Sequence, residues 1–275
     1  MKVVRGKIDM QPDITVVMAV HNEERALLKE SIDSILNQTY SNLELIICDD
    51  ASDKATADVI KEISGRDNRI EVITNIENRF VGATRNRGIK AAKGKYVAIM
   101  DADDYSYPER LEIQKKFLDM HSEYAFVSSI VDCYDGEKIV LGHFRVKEKP
   151  EKRDFLWGAQ FATPMFRKEC LEYVGGYDES VIARRTEDYD LYMRLYAEGM
   201  RGYNIQQPLL RYLINMHIMK NKRLYRYRID EAIIRYRGYQ RLGLMPEGLL
   251  YVMKPLLVGL IPHRLLWKIK GKVKV

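Results

Sequence analysis

Three short apolar runs of this chain each end in polar and acidic residues. His21–Asn22–Glu23–Glu24 follows ITVVMAV, Asp49–Asp50 follows LELIIC, and Asp101–Ala102–Asp103–Asp104 follows YVAIM. Carboxylates that converge from several strand ends repel one another unless something positive lies between them. Aspartate oxygens suit a hard divalent cation, Mg²⁺ or Mn²⁺. Such an ion, held by one or two carboxylates, takes its other ligands from water and substrate phosphates, so the pattern implies a phosphorylated substrate. An Asp-x-Asp pair is common by chance in a chain with this many aspartates, and a second one, Asp188–Asp190, occurs further on. The place of Asp101–Asp103 at a strand end is what makes it informative. No GxGxxG or GxxxxGK[ST] loop follows any of these runs, which argues against a dinucleotide dehydrogenase and a P-loop NTPase.

The elements that would position these acids alternate. Ile14–Val20 reads as a buried strand, being short, β-branched and without alternation. Leu28, Ile32, Ile35 and Leu36 recur at helical spacing behind it. Strands follow over 43–48, 70–74 and 96–100, separated by helices over 54–64 and 83–92. This βαβαβαβ rhythm predicts a parallel sheet with helices on both faces. Ligands of such sheets sit beyond the carboxyl ends of the strands, where the strand order switches. The rhythm then changes. Pro108 opens a helix to about Met120, and residues 124–134 and 138–144 form a hairpin about Asp135–Gly136. A strand over 163–167, a helix over 168–174 and a helix from Glu187 to Glu198, stopped by Gly199, complete the body. The expected fold is therefore α/β: a Rossmann-like, mostly parallel sheet, with a helical extension over residues 216–275.

Composition agrees. With 275 residues, 46% apolar and 31% charged, the chain is an ordinary globular protein and long enough to bury a sizeable core. Its three cysteines, Cys48, Cys133 and Cys170, are scattered, which fits a reducing compartment and neither a disulfide framework nor a zinc site. No signal-peptide pattern opens the chain. The apolar stretch from Leu249 to Ile261, broken by Lys254 and Pro255, is too short to span a bilayer, which takes about 20 residues. The net charge of +6 is unevenly placed. Sixteen of the 45 basic residues but only three of the 39 acidic ones lie from Met200 onward. A mildly acidic body thus carries a strongly basic tail, and such a tail suits an anionic surface.

The segments VVMAVHNEE, LIICDDAS, GATRNRG, GKYVAIMDADDYSYPERL, GGYDES and TEDYDLYMRLYAEG, in this order and spacing, resemble the family 2 inverting glycosyltransferases. The resemblance covers residues 14–212 and implies the A-type nucleotide-sugar-binding fold. It places a catalytic domain at residues 1–215, with a nucleotide half near 14–105 and an acceptor half near 106–215. It also implies roles. Ala19 and His21 stand where the family has Pro and Tyr, in the loop that holds the nucleobase, and His21 can stack on a pyrimidine. Glu23 shares that loop and approaches the base or ribose. Asp50 matches an aspartate that accepts the ring N–H of uracil, with Asp49 beside it structural. Arg85 matches an arginine that reaches the base and diphosphate region, work that suits five donors and a permanent charge. Asp101 would bind the ribose hydroxyls, Asp103 the divalent metal that bridges the phosphates, and Asp104 would support them or cap the next helix.

On the acceptor side, Asp188 matches the family's catalytic base, with Glu187 as the second candidate and an acceptor-side residue, and Asp190 structural. Inversion needs one carboxylate to take the acceptor hydroxyl's proton. Tyr177, Asp178 and Glu179 would line the acceptor pocket. Trp157 would either join them as an aromatic platform or belong to the core. His217 reads as a surface residue.

The resemblance therefore implies metal-dependent transfer of a sugar, most naturally UDP-linked, to a hydroxyl of a saccharide or lipid-linked saccharide in surface-polysaccharide assembly. A polyprenyl-phosphate sugar synthase is a close alternative. A sugar-phosphate nucleotidylyltransferase would need a glycine-rich loop after the first strand and is disfavoured, as is a non-catalytic adaptor. The tail interleaves arginine and tyrosine over Arg223–Arg241 and apolar residues with Lys and Arg over Leu249–Trp267. No nucleic-acid motif accompanies it. It reads as an amphipathic stretch on an anionic membrane at the cytoplasmic face, or else as helices that pack on the domain or on a second copy.

Overall fold

A computed structural model describes residues 11–134, 139–143, 146–213 and 224–260, the side chains of 139–143 excepted. The first four strands, β1 (Ile14–Val20), β2 (Leu43–Asp49), β3 (Ile70–Thr74) and β4 (Tyr96–Asp101), lie parallel in the order β3-β2-β1-β4. Helices α1 (Arg25–Leu36), α2 (Lys54–Ser64) and α3 (Phe80–Ala91) connect them. The chain leaves β1 toward β2 on one side and meets β4 on the other, so the order switches between β1 and β4. At that point Ala19 lies opposite Asp101 in register. This is where a doubly wound sheet opens a crevice beyond its strand ends.

Beyond β4 the sheet becomes mixed. A two-residue strand β5 (Tyr105–Ser106), α4 (Arg110–Met120), β6 (Phe126–Tyr134), β7 (Ile139–His143), a short 3₁₀ turn (Lys152–Trp157), β8 (Met165–Arg167), α5 (Lys168–Tyr173), α6 (Glu187–Ala197) and β9 (Gly202–Leu213) follow. The order continues β4-β8-β6-β9-β5, with β7 on β6. β8 runs antiparallel to both neighbours, β5 pairs antiparallel with β9, and β6 and β9 run parallel. The β6–β9 register slips where Ile130 meets Pro208, a residue with no N–H to give to a ladder. The expected hairpin forms between β6 and β7, and its Asp135–Gly136 turn lies outside the described residues.

Alternate residues of the central strands feed two cores. Val17, Ile46, Val97 and Ile99 face one side and pack with residues of α3, α5 and α6. Val16, Met18, Leu45, Ile47, Ala98 and Met100 face the other and pack with α1, α2 and α4. Helices therefore cover both faces, as the continuous apolar strands required. Close packing sets the height of α3. A Cβ on Gly88 would lie 2.6 Å from Val17 Cγ1 and 2.8 Å from Cys48 Sγ, so only glycine lets this helix sit so near the sheet. The C-terminal residues form α7 (Tyr225–Leu242) and α8 (Leu249–Leu260). Ile234, Tyr239 and Leu242 of α7 join the first core beside α6. No described helix is long and apolar enough to cross a membrane.

Candidate active site

The carboxyl ends of β1, β2 and β4 deliver the three polar groups to one rim of the sheet. At the β2 end, the backbone bends through Ala51, at φ 55°, and points Asp50 inward, where it is 3% exposed. Its Oδ1 accepts from Asn75 Nδ2 at 2.6 Å and from the Arg79 N–H at 2.8 Å. Arg87 in turn holds the Asn75 side-chain oxygen. His21 Nδ1 donates to the Asp50 carbonyl at 2.9 Å, which fixes the imidazole beside it. Glu23, in the same loop, has a carboxyl raised above its ordinary value, first by burial and then by the charges of Glu24 and Asp101, against a lowering bond from the Glu24 N–H. Asp49 caps the bend by accepting from Ser52 N–H at 3.0 Å, a structural task as expected.

Asp101, Asp103 and Asp104 occupy the loop after β4. Asp104 is buried and accepts from the Leu213 N–H at 3.0 Å, tying this loop to the end of β9. Burial, and then the charges of Asp101 and Asp103, push its carboxyl well above the usual carboxylate range. Beneath them Arg110 is fully buried and donates to the Ile99 carbonyl at 2.7 Å. Loss of water lowers its guanidinium to about 10, with Asp104 and Asp101 acting in the opposite sense. Among the described residues no three His, Cys, Asp or Glu side chains gather closely enough to hold an ion alone. The donor set nevertheless fits a hard cation. Crowded carboxylates raise one another's affinity for positive charge, and Mg²⁺ or Mn²⁺ needs only one or two of them when phosphates complete its shell.

Arg85, on α3, joins the carboxyl end of β4 to the first turn of α6. Its side chain is 5% exposed. Nη2 lies 2.6 Å from Asp101 Oδ1, and Nη1 lies 3.0 Å from Asp188 Oδ1. Asp188 stands in the first turn of α6, where the helix dipole favours an anion. The Asp101 and Asp188 side chains are 47% and 46% exposed, open to the cleft while walled by protein. Crowding by protein raises the Asp188 carboxyl above its ordinary value. Arg85 pulls it down by its charge and its hydrogen bond, and Asp101 pushes it up. Glu187 beside it is raised by burial and then by Asp188, with Arg85 opposing.

Two hollows meet this group. One, of about 540 Å³, runs from His21 and Asp50 past Arg79 and Glu187 to Arg184 and Arg226. The other, about 40 Å³, is lined by Arg85, Asp101, Asp104, Thr163, Asp188 and Tyr192. Buried polar atoms with no hydrogen-bond partner in the protein occur at Arg85 Nε, Tyr177 Oη, Arg184 Nε and Glu187 Oε2. Buried polar groups are ordinarily satisfied, so four of the five such atoms among the described residues, all but Asn204 Oδ1, make this the candidate place for a polar ligand.

Several residues expected from the sequence meet here: Ala19, His21, Glu23, Asp50, Asp101, Asp103, Asp188 and Glu187 all lie at the strand-end rim or the first turn of α6. Asp178 lines the larger hollow, and its side chain accepts from the Ser180 N–H at 2.8 Å. Arg85 lines the smaller hollow, where α3 seats its side chain between two acids. Two expectations are corrected. Tyr177 offers no face to a sugar: it is 2% exposed, with the Arg85 guanidinium 5.4 Å from its ring centre. Trp157 lines neither hollow. It is 74% exposed and edge-on to Tyr251 of α8, at 4.9 Å. Asp190 is structural, buried against Arg194 at 2.6 Å. His217 lies outside the described residues.

Two contributors escaped the sequence reading. Asn86 holds Tyr177 by both backbone groups, donating to its carbonyl at 2.9 Å and accepting from its N–H at 2.8 Å. It lies within GATRNRG, one residue after Arg85, so its place in that run was the available signal. Arg226, Tyr227 and Asp230 of α7 line the larger hollow, and the Arg185 guanidinium lies 4.3 Å from the Tyr227 ring centre. Nothing in the tail's composition pointed to the cleft.

Comparison with known proteins supports the same conclusion. The family model "Glycosyl transferase family 2" matches residues 15–173. EpsE of Bacillus subtilis (strain 168), whose name assigns it to the glycosyltransferases provisionally, is 37% identical over 254 residues, covering 91% of this chain and 90% of that protein. The Escherichia coli protein WfaP is named a UDP-Glc:alpha-D-GlcNAc-diphosphoundecaprenol beta-1,3-glucosyltransferase. It is 28% identical over 191 residues, 70% of this chain and 73% of its own. Among solved structures, S. aureus TarS residues 1–349 with UDP-GlcNAc aligns with a TM-score of 0.70 at 16% identity, covering 88% of this chain and 73% of that one. The Pyrobaculum calidifontis mannosyltransferase PcManGT with GDP-Man and Mn²⁺ aligns with a TM-score of 0.60 at 19% identity, covering 96% and 81%. These two likenesses bear on the fold, a mixed sheet wrapped by helices.

Proposed function

The chain belongs to glycosyl transferase family 2, and on that premise we propose that it moves a sugar from a nucleoside diphosphate, UDP by preference, to a hydroxyl of a saccharide or lipid-linked saccharide. Transfer inverts the anomeric carbon. The observation that carries this reading is Arg85, which bridges the donor-side Asp101 and the acceptor-side Asp188 within one small hollow. WfaP's named donor and its diphosphoundecaprenol-linked acceptor support the choice of UDP and of a lipid-linked saccharide.

In this reading the base lies at the His21–Asp50 end of the larger hollow and the rest of the nucleotide runs toward Asp101. Asp50, held by Asn75 and the Arg79 N–H, accepts the pyrimidine ring N–H, and His21 stacks on the base. Ala19 leaves room at the strand end, Glu23 lies by the base or ribose, and Asp101 takes the ribose hydroxyls. Asp103 holds the divalent metal, Mn²⁺ or Mg²⁺, which when bound neutralises charge on the diphosphate. Asp178 and Glu187 face the acceptor. Asp188 takes the proton of the acceptor hydroxyl while its oxygen bonds to the anomeric carbon. The bond from that carbon to the phosphate oxygen breaks, and its electron pair leaves with the nucleoside diphosphate. Arg85 keeps Asp188 oriented and favours its ionised form. The setting is surface-polysaccharide assembly, with the enzyme peripheral on an anionic membrane at its cytoplasmic face.

The test is release of UDP from UDP-sugars in the presence of Mn²⁺, with and without acceptor. Release that requires a saccharide or a polyprenyl-diphosphate saccharide supports the reading. Transfer onto a bare polyprenyl phosphate, or no turnover with any acceptor, contradicts it.

A further inference from the structure

In the proposed reading the nucleobase takes only the His21–Asp50 end of the 540 Å³ hollow. The opposite end is built from two parts of the chain. Arg184 and Arg185 lead into α6, and Arg226, Tyr227 and Asp230 come from the first turns of α7. Arg185 joins the two parts, its guanidinium 4.3 Å from the Tyr227 ring centre. The Arg184 guanidinium lies 3.4 Å from the ring centre of Phe80, on the facing wall. Arg185 and Phe80 both have left-handed backbone, at φ 73° and 66°, which bulky residues rarely adopt. Such conformations persist where the surrounding structure imposes them, and they gather at functional sites.

The hollow has no excess of positive charge, since four arginines and five carboxylates line it. Arg79 and Glu179 are already paired, at 2.9 Å. Arg184, Arg226 and Asp230 make no ion pair among the described residues. The buried polar atoms without a partner on this wall are one donor, Arg184 Nε, and one acceptor, Glu187 Oε2. A phosphate brings acceptor oxygens and serves only the first. A hydroxyl both donates and accepts, and serves either. Planar charged groups that can hold hydroxyls, set about an aromatic ring that can meet C–H groups, suit a neutral saccharide.

Position decides which part of a saccharide this is. Asp188 lines the smaller hollow, and no α7 residue does. Glu187, next to Asp188, lines the larger one together with α7. An acceptor whose reacting hydroxyl meets Asp188 therefore reaches α7 with a part removed from that hydroxyl. We infer that Arg184, Arg226, Tyr227 and Asp230 form a subsite for a second, non-reacting sugar ring, so that the acceptor is a neutral saccharide of at least two rings. The inference rests on the reading of the chain as an enzyme that glycosylates a saccharide hydroxyl. It makes α7, beyond the segment matched by the family model, the part that selects the acceptor.

The probes are cellobiose, lactose, maltose and diacetylchitobiose, each beside its component monosaccharides, with the full-length protein, UDP-glucose or UDP-N-acetylglucosamine, and Mn²⁺. UDP release gives kcat and KM, and titration gives UDP affinity. In the wild type the best disaccharide has a KM roughly tenfold below that of its monosaccharides. Tyr227→Ala removes that advantage, and so does Arg226→Ala, which changes an exposed side chain and leaves the packing intact. In both, kcat stays within a few-fold and UDP affinity is unchanged. Tyr227→Phe, which keeps the ring, keeps the advantage. Disaccharides used no better than monosaccharides, or variants that lose both alike, would overturn the subsite and leave glycosyl transfer standing. A polyprenyl-diphosphate monosaccharide preferred to every disaccharide would do the same. Weaker UDP binding in Tyr227→Ala and Arg226→Ala would give this end of the hollow to the donor and overturn it too. No turnover with any acceptor would defeat the transfer reading itself, and the subsite with it.

Discussion

Replacing Asp188 with asparagine lowers kcat by roughly 10²- to 10⁴-fold, the usual worth of a positioned base, while nucleotide affinity changes little. The two effects separate because Asp188 stands across Arg85 from the donor side. The asparagine side chain fills the same space and still accepts from Arg85 Nη1, which now lies 3.0 Å from the carboxylate, but it cannot take a proton. Steady-state kinetics beside nucleotide titration checks this. Glu187→Gln provides the comparison. If Glu187 were the base instead, its variant would carry the larger loss, and Asp188→Asn would fall within a few-fold of wild type.

Arg85→Met has the second largest effect and reaches both stability and pH dependence. The guanidinium is 5% exposed and serves two carboxylates. Removing it leaves Asp101, Asp188 and Glu187 facing one another without a cation. Breaking a buried pair costs about 3–5 kcal/mol. Because these carboxylates are half open to the cleft, roughly 2–3 kcal/mol is expected here, read as a drop in the denaturation midpoint. The pH profile moves with it. Crowding raises the Asp188 carboxyl, and Arg85 lowers it. The folded protein therefore favours protonated Asp188, a contribution to stability that is present at low pH and lost as pH rises through the folded-state value. Activity needs the ionised form and runs the other way, failing on the acid side. Without Arg85 the lowering influence disappears, so the acid limb of kcat/KM shifts to higher pH. Arg85→Lys keeps the charge but not the fork that reaches two acids, and falls between. An acid limb unmoved in Arg85→Met would show that Asp188 is not the titrating base.

The parts of this architecture legible in the sequence are those written in local pattern. Apolar β-branched runs marked β1, β2 and β4, and the polar residues that ended them marked the crevice, because strand ends are the only exits of a parallel sheet. The family 2 resemblance then assigned Asp50, Asp101, Asp103 and Asp188. What depended on long-range packing was not legible. That Arg85 would meet both Asp101 and Asp188 was not visible, because it depends on how closely α3, with Gly88 against Val17 and Cys48, lies on the sheet. Tyr177 reads as a sugar platform until Asn86 is seen to hold it beneath that guanidinium. β5 has two residues and pairs with β9 across the sheet, too little local pattern to notice. The tail's composition suggested an anionic surface as partner and gave no sign that the first turn of α7 borders the larger hollow, a placement fixed by the packing of α7 on α6.

The most direct test of donor recognition is calorimetric titration of UDP and GDP, with and without Mn²⁺, into the wild type and Asp103→Asn. UDP that binds in the presence of Mn²⁺, binds at least tenfold more weakly without it, and loses that difference in Asp103→Asn is the predicted result. Nucleotide binding indifferent to metal in both proteins, or absent from both, would contradict it and leave the acids at the strand ends with a structural task.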